Sequence, residues 1–226
     1  HPMPELFLEI GTEEIPSRFM GLALNYLKKE LTAFFKNNRV QADEGLVMGS
    51  PRRLVVAFKN VEHQQEDVTE THFGPNVKLA YDSEGNPTKS ALGFAKGKGI
   101  DVSQLTIEKT PKGEVVCARI EKTGKITSDI LNDFIPILIS NLPFPKKMRW
   151  GNRKTSFVRP LHWIVALFES KPLNFSYEGI PCGDTSRGHR FMCPEFFKVN
   201  GISDYINSCE KHFILIDPIA RKKFIV

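Results

Sequence analysis

The chain has 226 residues, 41% hydrophobic and 25% charged, with a net charge of +5 and four cysteines. That is ordinary for a soluble globular protein and supplies core for one large domain or two modest ones. No apolar run approaches the ~20 residues that cross a bilayer, and Cys117, Cys182, Cys193 and Cys209 hold no C-x-x-C pair, which excludes a disulfide scaffold and fits a reduced, cytoplasmic protein.

His1 and Pro2 precede a plausible initiator, Met3, and read as an expression remnant. Glu5 to Ile10 reads as a strand. Pro16 then opens a helix whose apolar positions, Met20, Ala23, Leu24, Leu27, Leu31, Phe34 and Phe35, fall at three- and four-residue steps. Two strands follow, around Gly45–Met48 and Arg53–Phe58, joined at Gly49-Ser50-Pro51. Glu62 to Thr71 is polar and reads as a connector. Asn86-Pro87 signals a helix that stops at Gly97 and Gly99, and Leu105–Thr110 with Glu114–Lys122 reads as a hairpin around Pro111-Lys112-Gly113. Thr127 to Asn141 is helical, with a kink or break expected at Pro136. Strands return at Leu161–Phe168 and Leu173–Glu178. Ser203 opens a short helix, Phe213–Ile216 is strand-like, and Asp217-Pro218 starts a helix cut off at Val226, as expected of a fragment.

This order lacks regular strand–helix alternation, so the fold class is α+β: a largely antiparallel or mixed sheet with packed helices. The organisation expected is a main domain of residues 3–68 with 145–226, and an inserted α+β subdomain at 69–144.

Charge is unevenly distributed. Between Asp133 and Glu169 there is no carboxylate, yet Lys146, Lys147, Arg149, Arg153, Lys154 and Arg159 lie there, with Trp150, Phe157 and Trp163 among them. Cations displace counterions from phosphates and rings offer stacking faces, so the run suits RNA or another polyanion. Trp163 sits in an apolar strand and reads as core, whereas Trp150 lies beside turn formers and is the better stacking face. Arg187, His189 and Arg190 form a second candidate surface suited to bidentate phosphate contacts, and Arg52 with Arg53 a third and smaller one.

Other chemistry is less well supported. Gly93 to Gly99 resembles a phosphate-binding loop, but has three residues between its glycines and ends a helix, so no nucleotide site is expected there. Glu9, Glu13 and Glu14 read as structural, with Glu13 and Glu14 favouring the start of the following helix. Cys182, His189, Cys193, Cys209 and His212 have irregular intervals, so no metal is expected. No orienting acid stands at a recognisable spacing for a serine–histidine nucleophile, and no catalytic residue is assigned.

Several segments together carry a resemblance. They are Glu9-Ile10-Gly11-Thr12-Glu13-Glu14-Ile15-Pro16, Pro51-Arg52-Arg53-Leu54, Gly85-Asn86-Pro87-Thr88-Lys89 leading to Gly93-Phe94-Ala95, and Thr110-Pro111-Lys112-Gly113-Glu114. Leu142 to Gly151, Phe157 to Trp163, and Arg187-Gly188-His189-Arg190-Phe191 complete the set. In this order they resemble the N-terminal part of the β subunit of bacterial heterotetrameric glycyl-tRNA synthetase. Ser50 and Ser186 stand where that family usually has threonine, and Cys182 where a small polar residue is common. The resemblance implies ATP-dependent joining of glycine to its tRNA, with ATP and magnesium at a separate α subunit and no cofactor in this part. It implies glycine tRNA and the α subunit as partners, with no membrane and no DNA. Family members continue into a helical region resembling HD-type proteins and an anticodon-binding domain. Two rival readings are a hydrolytic editing module using His189 and a scaffold contacting the α subunit.

Overall fold

The computed structural model describes residues 4–144, 161–187, 196–203 and 205–206, without the side chains of Arg187, Phe196 and Phe197. The chain divides into two compact units, residues 1–65 with 125–226 and residues 66–124.

The first unit is built on a seven-stranded mixed sheet. Its strands are β1 (Leu6–Thr12), β2 (Leu46–Ser50), β3 (Arg53–Phe58), β7 (Leu161–Phe168), β8 (Lys171–Pro172), β9 (Ser176–Tyr177) and β10 (Ile180–Gly183). The order is β2-β3-β1-β7-β10-β9, with β8 on β7. All pairs are antiparallel except β10 with β7. Every residue of β1 is buried because both faces of the sheet are covered. Leu6, Leu8 and Ile10 join Leu54, Val56, Ile164 and Ala166 beneath the helices α1 (Ser17–Asn37) and α4 (Thr127–Ser140). Phe7 points to the other face, where Val55, Val165, Val199, Ile202 and Tyr205 meet. A short hairpin, β11 (Thr185–Arg187) with β12 (Phe196–Lys198), and helical residues at 202, 203, 205 and 206 follow β10.

The helix expected from Pro16 is α1, with Pro16 at its N-cap and Ala23, Leu24, Leu27, Leu31, Phe34 and Phe35 buried along one stripe. The Tyr26 hydroxyl donates to Leu138 O of α4 at 2.8 Å, and Phe34 stacks on Phe134 at 4.1 Å. Residues 127–140 form one helix through Pro136, so of the kink or break expected there the break does not occur. Leu131, Ile135, Leu138 and Ile139 anchor both halves in the same core, which outweighs the one helical N–H that proline removes.

The second unit, residues 66–124, contains β4 (Val68–Asn76), α2 (Val77–Ala80), α3 (Lys89–Gly97), a 3-10 turn at Val102–Gln104, β5 (Thr106–Thr110) and β6 (Gly113–Lys122). The strands form an antiparallel sheet in the order β4-β6-β5. Val116 packs with Ala80, Ala91, Phe94 and Leu105 in a small core, and Gly74 leaves room for the Phe94 ring.

Four expectations need correction. The inserted segment ends at 124 instead of 144, because the apolar face of α4 is part of the first unit's core. The polar stretch Glu62 to Thr71 is not all connector: β4 begins at Val68, and its backbone pairs with β6 although its side chains stay partly wet. Leu173–Glu178 is not one strand. Two-residue strands flank a buried Leu173, after a turn in which Glu169 and Ser170 take φ values of 56° and 62°. Helical residues begin at 202, ahead of Ser203. Phe213–Ile216 and the helix expected from Asp217 lie outside the described residues. No helix among the described residues is long and apolar enough to cross a membrane.

Candidate functional site

The sequence-derived cationic surfaces fall largely outside what the structure describes. Lys146, Lys147, Arg149, Trp150, Arg153, Lys154 and Arg159 lie there, as do His189 and Arg190. Arg187 is placed in β11 opposite Phe196, without a described side chain. Arg52 is half-buried in the β2–β3 turn, where its carbonyl accepts the Thr12 N–H at 2.8 Å.

Arg53 is a correction. Chosen as a weaker phosphate contact, it is only 5% exposed and is turned inward. Its Nη1 lies 3.3 Å from Glu9 Oε2, 3.3 Å from Ser186 Oγ and 3.5 Å from the Tyr205 hydroxyl. Glu9 is fully buried, and its other oxygen, Oε1, accepts from Trp163 Nε1 and from Ser186 Oγ. A buried charge needs this kind of pairing and hydrogen bonding, because desolvation would otherwise outweigh any gain. The cluster therefore ties β1, β3, β7, β11 and the helical residue Tyr205 together. A carboxylate sealed from solvent and held by one cation has no access to a substrate proton, so the cluster is structural.

Register explains how these groups meet. Gly11 of β1 lies between Arg53 of β3 and Trp163 of β7. A Cβ at Gly11 would stand 2.0 Å from the Trp163 ring, so only glycine lets the indole cross the strand. The Arg53 guanidinium then lies 5.2 Å from that ring's centroid. The register shifts between Gly11 and Thr12, leaving His162 as the extra residue of a β-bulge. Its Nε2 lies 3.0 Å from Glu13 Oε1. Glu9 is thus internally engaged, as expected of a structural carboxylate, whereas Glu13 approaches His162 without hydrogen-bonding geometry to its Nε2, and Trp163 is core at 6% exposure.

A second feature escaped sequence reading. Glu14, Ile15, Pro16, Ser17, Met20, Gly21, Leu24, Gly49, Ser50 and Pro51 line a cleft of about 630 Å³ at the start of α1. Two of the segments that carry the resemblance converge there, joined by the Ile15 N–H donating to Pro51 O. They are 36 residues apart in sequence, so only strand pairing reveals the meeting.

Two further candidates are placed by local contacts. The glycine-rich segment after Ala91 terminates α3, with Gly99 at φ 72°, so its amides are not gathered at a helix N-terminus. The Cys182 thiol donates to Leu173 O, and burial pushes its pKa up, as in a packed thiol, whereas His189, Cys193, Cys209 and His212 lie outside the described residues.

Comparison with known proteins places these features in a family. The sequence model described as glycyl-tRNA synthetase beta subunit matches residues 6–226. The glycine–tRNA ligase β subunit of Citrifermentans bemidjiense is 46% identical over 98% of this chain and 32% of that protein. Those of Geobacter sp. strain M21 and Syntrophus aciditrophicus are 45% and 41% identical over the same shares. The chain thus spans about a third of the length of the curated relatives it matches.

Proposed function

The chain belongs to the glycyl-tRNA synthetase β-subunit family, and from that membership we propose that it is the N-terminal part of a β subunit that contributes tRNA recognition and assembly to ATP-dependent attachment of glycine to its tRNA. The observation that carries this reading is a family match extending over residues 6–226 rather than over one motif. Its partners are glycine tRNA and a catalytic α subunit in a cytoplasmic heterotetramer. ATP and magnesium belong to the α subunit in this reading. The glycine-rich segment of this chain supports that division, since it closes α3 and cannot cradle phosphates as a loop opening a helix does.

Lys146, Lys147, Arg149, Arg153 and Lys154 are the proposed backbone-phosphate contacts, with Trp150 as a stacking face. Arg187, His189 and Arg190 form a second contact. The burial of Arg53 removes it from this set and leaves Arg52 and Arg159 as flanking cations.

The test uses the complete β subunit assembled with its α partner. Replacing Lys146, Lys147 and Arg149 with glutamine should raise the KM for tRNA and leave glycine-dependent ATP–pyrophosphate exchange unchanged. The log–log dependence of tRNA affinity on salt should flatten by about one unit for each phosphate that is no longer neutralised. An unaltered tRNA KM and salt slope would refute the assignment of these side chains to phosphates. The 226-residue chain alone should form no glycyl-tRNA, and robust charging by it would refute the division of labour.

A further inference from the structure

β4 is an edge strand of the second unit, and strand register specifies what its open side presents. The tight turn between β5 and β6 makes Thr110 and Gly113 a hydrogen-bonded pair, and bonded pairs alternate along an antiparallel ladder. Cys117 therefore directs its N–H and C=O to Thr106 and away from its other neighbour, Phe73. The same alternation turns the backbone groups of Thr69, Thr71 and Phe73 away from β6, and they make no hydrogen bond among the described residues. Beyond Phe73 the register shifts, and Pro75 has no N–H, so the open stretch ends there.

An open edge is a template for another strand, and sheets commonly guard it with charge. β5, the opposite edge, has Lys109 among the residues whose backbone turns outward. β4 has no charge at such positions. Thr69, Thr71 and Phe73 are all exposed, Phe73 at 62%. The alternate residues, Glu70 and His72, lie on the sheet's other face, where their side chains approach to 3.1 Å and Lys122 Nζ lies 3.0 Å from the second Glu70 oxygen.

We propose that β4 pairs antiparallel with β4 of a second copy of this chain, about a two-fold axis at Thr71. Thr71 of each copy then faces Thr71 of the other, and Phe73 faces Thr69 on both sides of the axis, so the outward N–H and C=O groups of all three residues are satisfied. An aromatic ring against a β-branched side chain is a favourable cross-strand pair. The intervening positions select the occupant. Glu70 of one copy lies opposite His72 of the other, twice, and a carboxylate with two oxygens accepts a second ring N–H beside its intrachain contacts. Sliding the register by two residues would set Glu70 against Glu70, or His72 against His72. The segment Thr69-Glu70-Thr71-His72-Phe73 is thus complementary to itself in one register, as a two-fold interface requires. The proposal does not depend on the tRNA reading above.

The experiment is sedimentation equilibrium of the 226-residue chain, with amide hydrogen exchange measured at each concentration. One strand pair buries less than the ~1,200 Å² of stable complexes, so the dimer is weak and is sought up to about 1 mM protein. The dimer should grow with concentration, and protection of the Thr69, Thr71 and Phe73 amides should grow with it. Thr71→Pro deletes an outward N–H without removing a bond to β6 and should leave the chain monomeric, whereas Thr71→Val should dimerise like the parent. His72→Glu sets two like-charged pairs across the axis and should weaken the dimer about tenfold. Adding Glu70→Lys to it makes both pairs opposite in charge and should restore the parent's affinity. These two variants decide the matter even where Thr71→Pro disturbs the second unit. A chain that stays monomeric, a dimer that leaves the three amides unprotected, or a dimer unaffected by His72→Glu overturns the proposal. Protection that is independent of concentration but appears on adding the α subunit assigns the edge to another chain's strand, and overturns it as well.

Discussion

Glu9 and Arg53 are 44 positions apart in the chain and form an ion pair that solvent barely reaches. Removing one member of such a pair strands the other charge in the core, at a cost of about 3–5 kcal/mol. Arg53→Met should therefore lower the urea midpoint severely. Adding Glu9→Leu to it should recover much of the loss, because both desolvation penalties disappear together. Equal destabilisation by the single and double variants would contradict this account. One signal in the sequence pointed here: Glu9 is a lone carboxylate within the apolar run Leu6 to Ile10. Its partner was not legible. Arg52 and Arg53 look equivalent in sequence, and the alternation of β3 alone sends Arg53 inward.

Among the elements, the helical residues that begin at Ile202 depend on a side chain from the other end of the chain. Glu5 Oε1 accepts the Ile202 N–H at 3.1 Å. Burial pushes the Glu5 carboxyl above its ordinary value of 4.5, against the opposing effects of that N–H and of Lys59. A carboxyl whose folded pKa is raised contributes stability that is full below 4.5 and is lost as pH rises through the folded value. Urea midpoints of the parent should accordingly carry a downward contribution across that window. Glu5→Gln keeps an acceptor for Ile202 and has no charge to bury, so its midpoints should lack that contribution and should equal or exceed the parent's at about pH 7. A variant clearly less stable than the parent at that pH would show that the ionised carboxylate is required. The long amphipathic elements, α1 and α4, were legible because their stripes repeat every three to four residues. The two-residue strands β8 and β9 were not, since no periodicity fits in so few positions.

At the scale of the whole chain, residues 66–124 leave and re-enter the first unit at adjacent points. Gln65 N–H donates to Lys125 O at 2.9 Å, Lys125 N–H donates to Gln65 Oε1 at 3.0 Å, and Thr127 N–H donates to His63 O at 2.8 Å. Closing that gap with a short Asn-Gly turn spans almost no distance and shortens a closed loop. Excision of 66–124 should therefore leave a first unit that unfolds cooperatively, with an amide spectrum close to the parent's for β1, β3 and β7. Loss of cooperative unfolding would mean that the second unit is needed for folding of the first.

Local pattern alone determined the α+β class, the positions of α1 and α4, the strand β7, and a set of ordered motifs that identified the family. Those features are legible because propensity, periodicity and turn chemistry act over a few neighbouring residues. Tertiary structure decided which arginine is buried, where the second unit ends, and that two distant motif segments share one cleft. Each of these depends on strand register and on which face of a sheet is covered, and a one-residue shift in pairing would reverse them.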